Sequence, residues 1–291
     1  VEDVARVAEL RERVGAARAA GAVVGLVPTM GYLHDGHLSL VDAARTSCDV
    51  VVTTIFVNPL QFAAGEDLDA YPRDPAGDAA KAASAGTDWL FCPEAAEMYP
   101  DGAGAVATAV SVDALSSVME GASRPTHFAG VCTVVAKLFN IVGPCRSYFG
   151  EKDYQQLAII RQMARDLSFP VEVLGCPVVR EPDGLAMSSR NVYLTAEERA
   201  VAPVLHESLV RGARMIEAGE RDAAAVRTAM ADLIGSAPLG VLDYVEVADP
   251  VTLQPLGTAT PQARLFGAIR FGRARLIDNV DASVAATGRE G

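Results

Sequence analysis

The sequence is poor in the residues that most often advertise chemistry. Its 291 residues include five cysteines, four histidines and one tryptophan. The cysteines (Cys48, Cys92, Cys132, Cys145, Cys176) are odd in number, scattered and never spaced C-x-x-C. That argues against a zinc site or a disulfide framework and fits inert thiols in a reducing cytosol. Basic residues are the minority: 25 Lys and Arg stand against 37 Asp and Glu, a formal charge of −12. A sequence-independent nucleic-acid binder needs the opposite balance to neutralise phosphates, although one nucleotide in a local basic pocket is still allowed. No apolar run reaches the ~18 residues of a membrane span. The opening VEDVARVAELRERVGAARAAG is charged and amphipathic, unlike a secretory signal. Also missing are a G-x-G-x-x-G followed by an acidic residue, a Walker loop and a G-x-S-x-G elbow.

What is present is the composition of a packed globular protein: half the residues are hydrophobic and 21% are charged. The length suits one large domain or two smaller ones. Helical spacing predicts a helix over 4–20, stopped by Gly21. Apolar, β-branched runs predict strands at 22–28, 49–57 and 88–92, with helices at 37–47 and near 77–85 between them. The stretch 58–75 is a Gly-, Pro- and Asp-rich loop. A buried helix follows at 127–142, then strand 146–150, helix 153–167 and strand 171–175. Strands alternating with helices imply βαβ units and a doubly wound parallel sheet. Beyond Val179 the rhythm changes to helices at 195–218 and 222–234 and closely spaced strands at 241–249, 263–271 and 274–280, an antiparallel set. The expected division is therefore 1–178 and 179–291.

Five segments could carry chemistry. VPTMGYLHDGHLSLV (27–41) places His34 and His37 where a strand becomes a helix. Ligands of open α/β sheets sit at the carboxyl ends of strands, where a helix start offers free N–H groups. A lone histidine there reads as a cap or a surface residue. Two of them, with Gly31 and Gly36 beside them, favour hydrogen bonds to a phosphate. FGEKDYQQL (149–157) sets Lys152 at another strand end; alone, it is also an ordinary solvated turn. DGLAMSSRN (183–191) could clamp a polyphosphate or be a surface turn. FVNPLQF (56–62) offers the neutral amides Asn58 and Gln61, and EGASRPTHFAG (120–130) offers Glu120, Arg124 and His127. For both, loop and cap chemistry is the competing reading.

Taken in order, these segments resemble the pantothenate synthetase (pantoate–β-alanine ligase) family. H-D-G-H resembles the HIGH motif of the nucleotidyltransferase superfamily, and M-S-S-R its KMSKS loop. The resemblance is close from about 25 to 194. It implies a Rossmann-like domain over 1–178 that binds nucleotide and pantoate, and a smaller C-terminal α+β lid domain over 179–291. It also implies a cytoplasmic, Mg²⁺-dependent homodimer with ATP, pantoate and β-alanine as substrates, and no nucleic-acid or membrane partner. Pantoate would attack the α-phosphorus of ATP, and β-alanine would then take the acyl group from pantoyl adenylate.

Carried onto this chain, the family pattern makes His34, His37, Lys152, Ser188, Ser189 and Arg190 the catalytic set, with His37 as proton donor. Met30, Gly31, Tyr32, Leu33, Asp35 and Gly36 would line the ATP site with the histidines. Gly150, Glu151, Asp153, Val179 and Met187 would also contact the nucleotide. Gln61 and Gln156 would hold pantoate, joined in the substrate set by Asn58, Arg124 and His127. The Mg²⁺ ligands stay unassigned. Two departures stand out: Asp35 replaces the usual Glu between the histidines, and AMSSR lacks the superfamily lysine, leaving Arg190 and Lys152 to supply its charge. The rival readings are another HIGH-type adenylyltransferase acting on a small acid, and a non-catalytic nucleotide-binding regulator.

Overall fold

Apolar, β-branched runs pair side by side as the centre of a parallel sheet in the computed structural model, which describes residues 1–63, 65–66 and 68–283. Within the loop expected over 58–75, Ala64 and Asp67 lie outside the described residues, as do 284–291 at the end of the second expected domain. The chain divides into two compact units, one of Val1–Glu151 with Gln155–Pro177, the other of Lys152–Tyr154 with Val178–Gly291.

The first unit opens with β1 (Glu2–Val4), α1 (Val7–Ala19), β2 (Val24–Thr29), α2 (Asp35–Arg45) and β3 (Val50–Ile55). It continues through α3 (Pro75–Ser84), β4 (Trp89–Phe91) and three short helices, α4 (Ala95–Met98), α5 (Asp113–Ser116) and α6 (Met119–Ser123). It ends with α7 (His127–Val142), β5 (Cys145–Gly150), α8 (Tyr154–Asp166, whose first residue belongs to the second unit) and β6 (Val171–Cys176). The sheet order is β1-β4-β3-β2-β5-β6, and every pairing is parallel, as in Val24↔Val50 and Cys145↔Val171. The chain runs outward from β2 through β3 and β4, then resumes at β5 on the other side of β2. That reversal is a topological switch point, and ligand crevices of open α/β sheets form outside the strand carboxyl ends there.

Packing explains the local sequence. Gly25 lets α2 lie close to β2, because a Cβ there would meet Cys48 Sγ at 3.1 Å and Ala44 Cβ at 3.2 Å. The interface is completed by Val27, Leu40, Val41, Val51 and Tyr148. Helix α7 buries residues on most of its faces, among them Phe128, Val131, Val135, Leu138 and Phe139, which accounts for its unbroken apolar run.

One expected boundary moves. Val4, placed in the first helix by its spacing to Val7, is instead 1% exposed in β1 and pairs with Phe91. Arg6 is extended (φ −108°, ψ 134°) and separates the strand from α1.

The second unit contains α9 (Ala196–Val201), α10 (Val204–Glu217), α11 (Ala223–Gly235), β7 (Gly240–Ala248), β8 (Arg264–Phe271) and β9 (Ala274–Asp281). The strands form an antiparallel β7-β8-β9 sheet. Leu209, Ala213 and Ile216 of α10 and Val226 and Met230 of α11 share a core with Val247 and Leu265 of the sheet. The helix expected over 195–218 is two helices, because Pro203 supplies no N–H to continue the first and caps the second instead. The expected fold, a doubly wound parallel sheet followed by a smaller α+β part, is the one observed. Among the described residues no helix is long and apolar enough to cross a membrane.

Candidate active site

The loop between β2 and α2 is held from below by a carboxylate. Gly31 (φ +85°) and Tyr32 (φ +50°) both occupy the left-handed region. A Cβ on Gly31 would meet Ile55 Cγ2 at 2.9 Å, so only glycine fits this turn. Asp78 of α3, 1% exposed, accepts the N–H groups of Tyr32 (2.7 Å) and Leu33 (2.6 Å). Lys81, one turn on, donates to Leu33 O at 2.8 Å. Asp78 and Lys81 were missed from the sequence, where DPAGDAAKAAS shows only an Ala-rich helix with a Pro at its start.

His34 is the N-cap of α2 (φ −135°, ψ 173°) and His37 its third residue. The His34 N–H donates to His37 Nδ1 at 3.3 Å, and the ring centroids lie 4.1 Å apart. Both histidines are half-buried, whereas Asp35 is exposed in the first turn, where a carboxylate suits the positive end of the helix. Its substitution for Glu therefore alters a solvated position. Gly36 sits inside the helix.

Gln61 is the centre of a second cluster. It is 7% exposed, with its amide nitrogen against Met30 Sδ and its Oε1 accepting from Asn58 Nδ2 at 3.3 Å. Its main-chain carbonyl accepts from His127 Nδ1 (2.9 Å) and Arg124 (3.3 Å). Of the residues expected to touch substrate here, Gln61 is thus positioned by the others.

Asn58 is 1% exposed; its Nδ2 also reaches Gly130 O (3.0 Å), and its Oδ1 accepts from Tyr99 Oη (2.8 Å) and Leu60 N (3.3 Å). Arg124 is bidentate to Glu66 (2.9 and 2.5 Å) and reaches Glu120 at 3.4 Å. Burial would raise the Glu66 carboxyl, but the Arg124 guanidinium outweighs it and holds the group below its ordinary value. Burial, reinforced by Arg124, pushes the His127 imidazole down to about 4, so this histidine is neutral at physiological pH. Asn58 and Arg124 accordingly have their side-chain polar groups engaged within the protein, and His127 is held through Nδ1. Tyr99, 3% exposed, was not singled out from the sequence.

Gly150 closes β5, and Glu151–Asp153 form a 3₁₀ turn. On the following helix Gln155 is inward and structural, donating to Leu115 O and Val118 O, both at 2.9 Å. Its neighbour Gln156 is half-buried, and among the described residues its amide has no hydrogen-bond partner.

In the second unit, Lys152 Nζ lies 3.6 Å from Asp153 Oδ1. Val179 O accepts from Met187 N at 3.0 Å, which closes the segment between them. Ser188 caps the next 3₁₀ turn through Arg190 N at 3.3 Å, Ser189 is buried and Arg190 half-buried. Lys152 and Ser188 line one small pocket together with His206 and Asp278. His206, read from the sequence as structural, is 7% exposed, with Nδ1 3.6 Å from Asp278 Oδ2. Burial would raise the Asp278 carboxyl, but His206 and Arg180 outweigh it and keep it below its ordinary value.

Among the described residues no group of three His, Cys, Asp or Glu side chains is arranged to hold a metal ion. Chemically, the first unit offers imidazole donors at a helix start and oriented neutral amides. The second offers an ammonium and hydroxyls.

Comparison with known proteins identifies the family. The family model described as pantoate-beta-alanine ligase matches residues 2–281. The pantothenate synthetase of Moorella thermoacetica is 54% identical over 274 residues, 94% of this chain and 96% of that protein. That of Heliobacterium modesticaldum is 54% identical over 260 residues, covering 89% and 92%. The crystal structure of pantothenate synthetase from Thermus thermophilus superposes with a TM-score of 0.90 at 49% identity, covering 97% of this chain and 99% of that one. The Francisella tularensis pantoate-beta-alanine ligase, solved in complex with beta-gamma ATP and beta-alanine, gives 0.78 at 32% identity, covering 97% and 98%. The chain belongs to the pantoate–β-alanine ligase family.

Proposed function

We propose that this protein joins pantoate to β-alanine at the expense of ATP, yielding pantothenate, AMP and pyrophosphate. The observation that carries the reading is the His34–His37 pair at the start of α2, beside the switch point between β2 and β5. A pantoate carboxylate oxygen attacks the α-phosphorus and pyrophosphate leaves, giving pantoyl adenylate. The β-alanine amine then attacks the acyl carbon and AMP leaves. Negative charge grows on the α–β bridging oxygen in the first step. Preorganised donors stabilise such charge, and loss of one typically costs about 2.7–4 kcal/mol.

On this reading His37 and His34 donate to the phosphates and Met30 to Leu33 border the nucleotide. Lys152, Ser188, Ser189 and Arg190 supply phosphate contacts, with Gly150, Glu151, Asp153, Val179 and Met187 as further nucleotide contacts. Gln61 and Gln156 orient pantoate. Their neutrality matters, because a cation paired to the attacking oxygen would blunt it. Arg124, the cation beside Gln61, is itself engaged by Glu66 and Glu120. Mg²⁺ is read as arriving on ATP, since a hard cation prefers phosphate oxygens. Kinship also supports a homodimeric, cytoplasmic enzyme.

The test is isotopic. With carboxyl-¹⁸O pantoate, one label should appear in AMP, and unlabelled AMP after full turnover refutes the adenylate route. AMP formation that ignores β-alanine would instead favour a simple adenylyltransferase.

A further inference from the structure

Lys152 rises from a single 3₁₀ turn, too short to hold its own geometry firmly. Behind it the second unit concentrates buried polar groups that nothing above explains. Asn279 is 2% exposed, Asp278 4% and Arg264 9%. Asn279 Nδ2 donates to the main-chain carbonyl of Lys152 at 2.9 Å, while its Oδ1 accepts from Arg264 Nε at 2.6 Å. These two bonds fix which way the amide faces: the oxygen must meet the guanidinium and the nitrogen the carbonyl.

The Asn279 main chain is anchored too. Its N–H donates to Asp278 Oδ1 at 2.7 Å, and Arg180 grips that carboxylate through two bonds of 2.6 and 3.0 Å. Arg264 also stacks on Tyr154, its guanidinium carbon 3.7 Å from the ring centroid. The turn is therefore held at two points, the Lys152 carbonyl and the Tyr154 ring. A flexible lysine can be aimed only if its backbone origin is fixed, and such support comes from neighbours that do not touch the ligand.

We propose that Asn279 is a positioning residue for Lys152, orienting the peptide from which the ammonium reaches the phosphates. This rests on reading Lys152 as a phosphate ligand.

The test combines Asn279→Asp, which keeps the acceptor for Arg264 and loses the donor, with Asn279→Ala, Lys152→Ala and the double variants. The readouts are pyrophosphate release from ATP and pantoate without β-alanine, together with the melting temperature. Each Asn279 variant should slow release by about 10–100-fold with little change in the KM for pantoate. In the Lys152→Ala background neither should slow it further. An equal fold loss in both backgrounds, or a loss that merely follows the melting temperature, would overturn the positioning role. If Asn279→Asp fails to fold around its new charge, Asn279→Ala decides by the same criterion. Wild-type rates in the Asn279 variants beside a slow Lys152→Ala would sink only this proposal. A wild-type rate in Lys152→Ala would sink the phosphate-ligand reading as well.

Discussion

The main-chain N–H of His34 donates to Nδ1 of His37 at 3.3 Å, so the nitrogen that caps the helix carries no proton. A neutral imidazole then holds its proton on Nε2 and remains a donor there. Capping and the phosphate binding proposed for His37 would thus use different atoms of one side chain, and a substitution can separate them. Glutamate at this third helical position also accepts from the N-cap N–H. His37→Glu should therefore keep the melting temperature while lowering kcat by roughly 10²–10³ or more, and His37→Ala should lose both rate and some stability. Near-wild-type turnover in His37→Glu would reduce His37 to a cap.

Asp78 should be necessary to the loop that leads into the histidine pair. It accepts the N–H groups of Tyr32 and Leu33 at 2.7 and 2.6 Å. Asp78→Ala leaves both without that acceptor, at about 1–3 kcal/mol for each buried group. Urea denaturation should show the loss, and kcat should fall because the segment entering α2 is no longer held. A stability within about 0.5 kcal/mol of wild type, the usual scale of a surface change, would contradict this.

The legibility of the sequence followed how local each determinant is. β2, β3 and α7 were readable because burial on both faces of a strand, or around a helix, leaves a continuous apolar run. The strand–helix alternation then implied the parallel sheet. β1 was not readable, since its three residues are too few to show a period and Val4 happens to share helical spacing with Val7. The histidine pair was readable because both residues lie within one turn at a strand–helix junction. Asn58, Arg124 and His127 were noticed as residue types, but their roles depend on partners such as Gly130, Glu66 and Gln61, 58–72 residues away. Asp78 acts on Leu33 from 45 residues away, out of an unremarked helix.

Gly130 gives a steric test of the Gln61 cluster. A Cβ there would lie 2.6 Å from Gln61 N and closer still to the Leu60 carbonyl, both main-chain groups that cannot swing aside. Gly130→Ala should force 58–61 away from α7, destabilise the protein by about 1–3 kcal/mol and raise the KM for pantoate. At Gly15, in α1, an added methyl would meet nothing within 4 Å, so Gly15→Ala should stabilise by about 0.4–1 kcal/mol with pantoate kinetics unchanged. Equal behaviour of the two variants would show that the contact at Leu60 is not limiting.

His127 makes stability pH-dependent in a defined window. Burial first, and Arg124 second, lower its imidazole from the ordinary 6.5 to about 4 in the folded protein. Between these values the unfolded chain binds a proton that the native state does not. The contribution of His127 is therefore complete above about pH 6.5 and is lost as pH falls toward 4, on the order of 3 kcal/mol in all. His127→Gln removes the titrating group, so its unfolding free energy should fall less steeply than that of wild type across this interval, whatever the carboxylates contribute to both. Denaturant titrations at several pH values, taken as differences between the two proteins, isolate the effect. Parallel curves would mean that His127 is protonated in the native state near its ordinary pH. Its Nδ1–H bond to the Gln61 carbonyl would then persist with a charged ring, and the neutral surroundings assigned to pantoate would not hold.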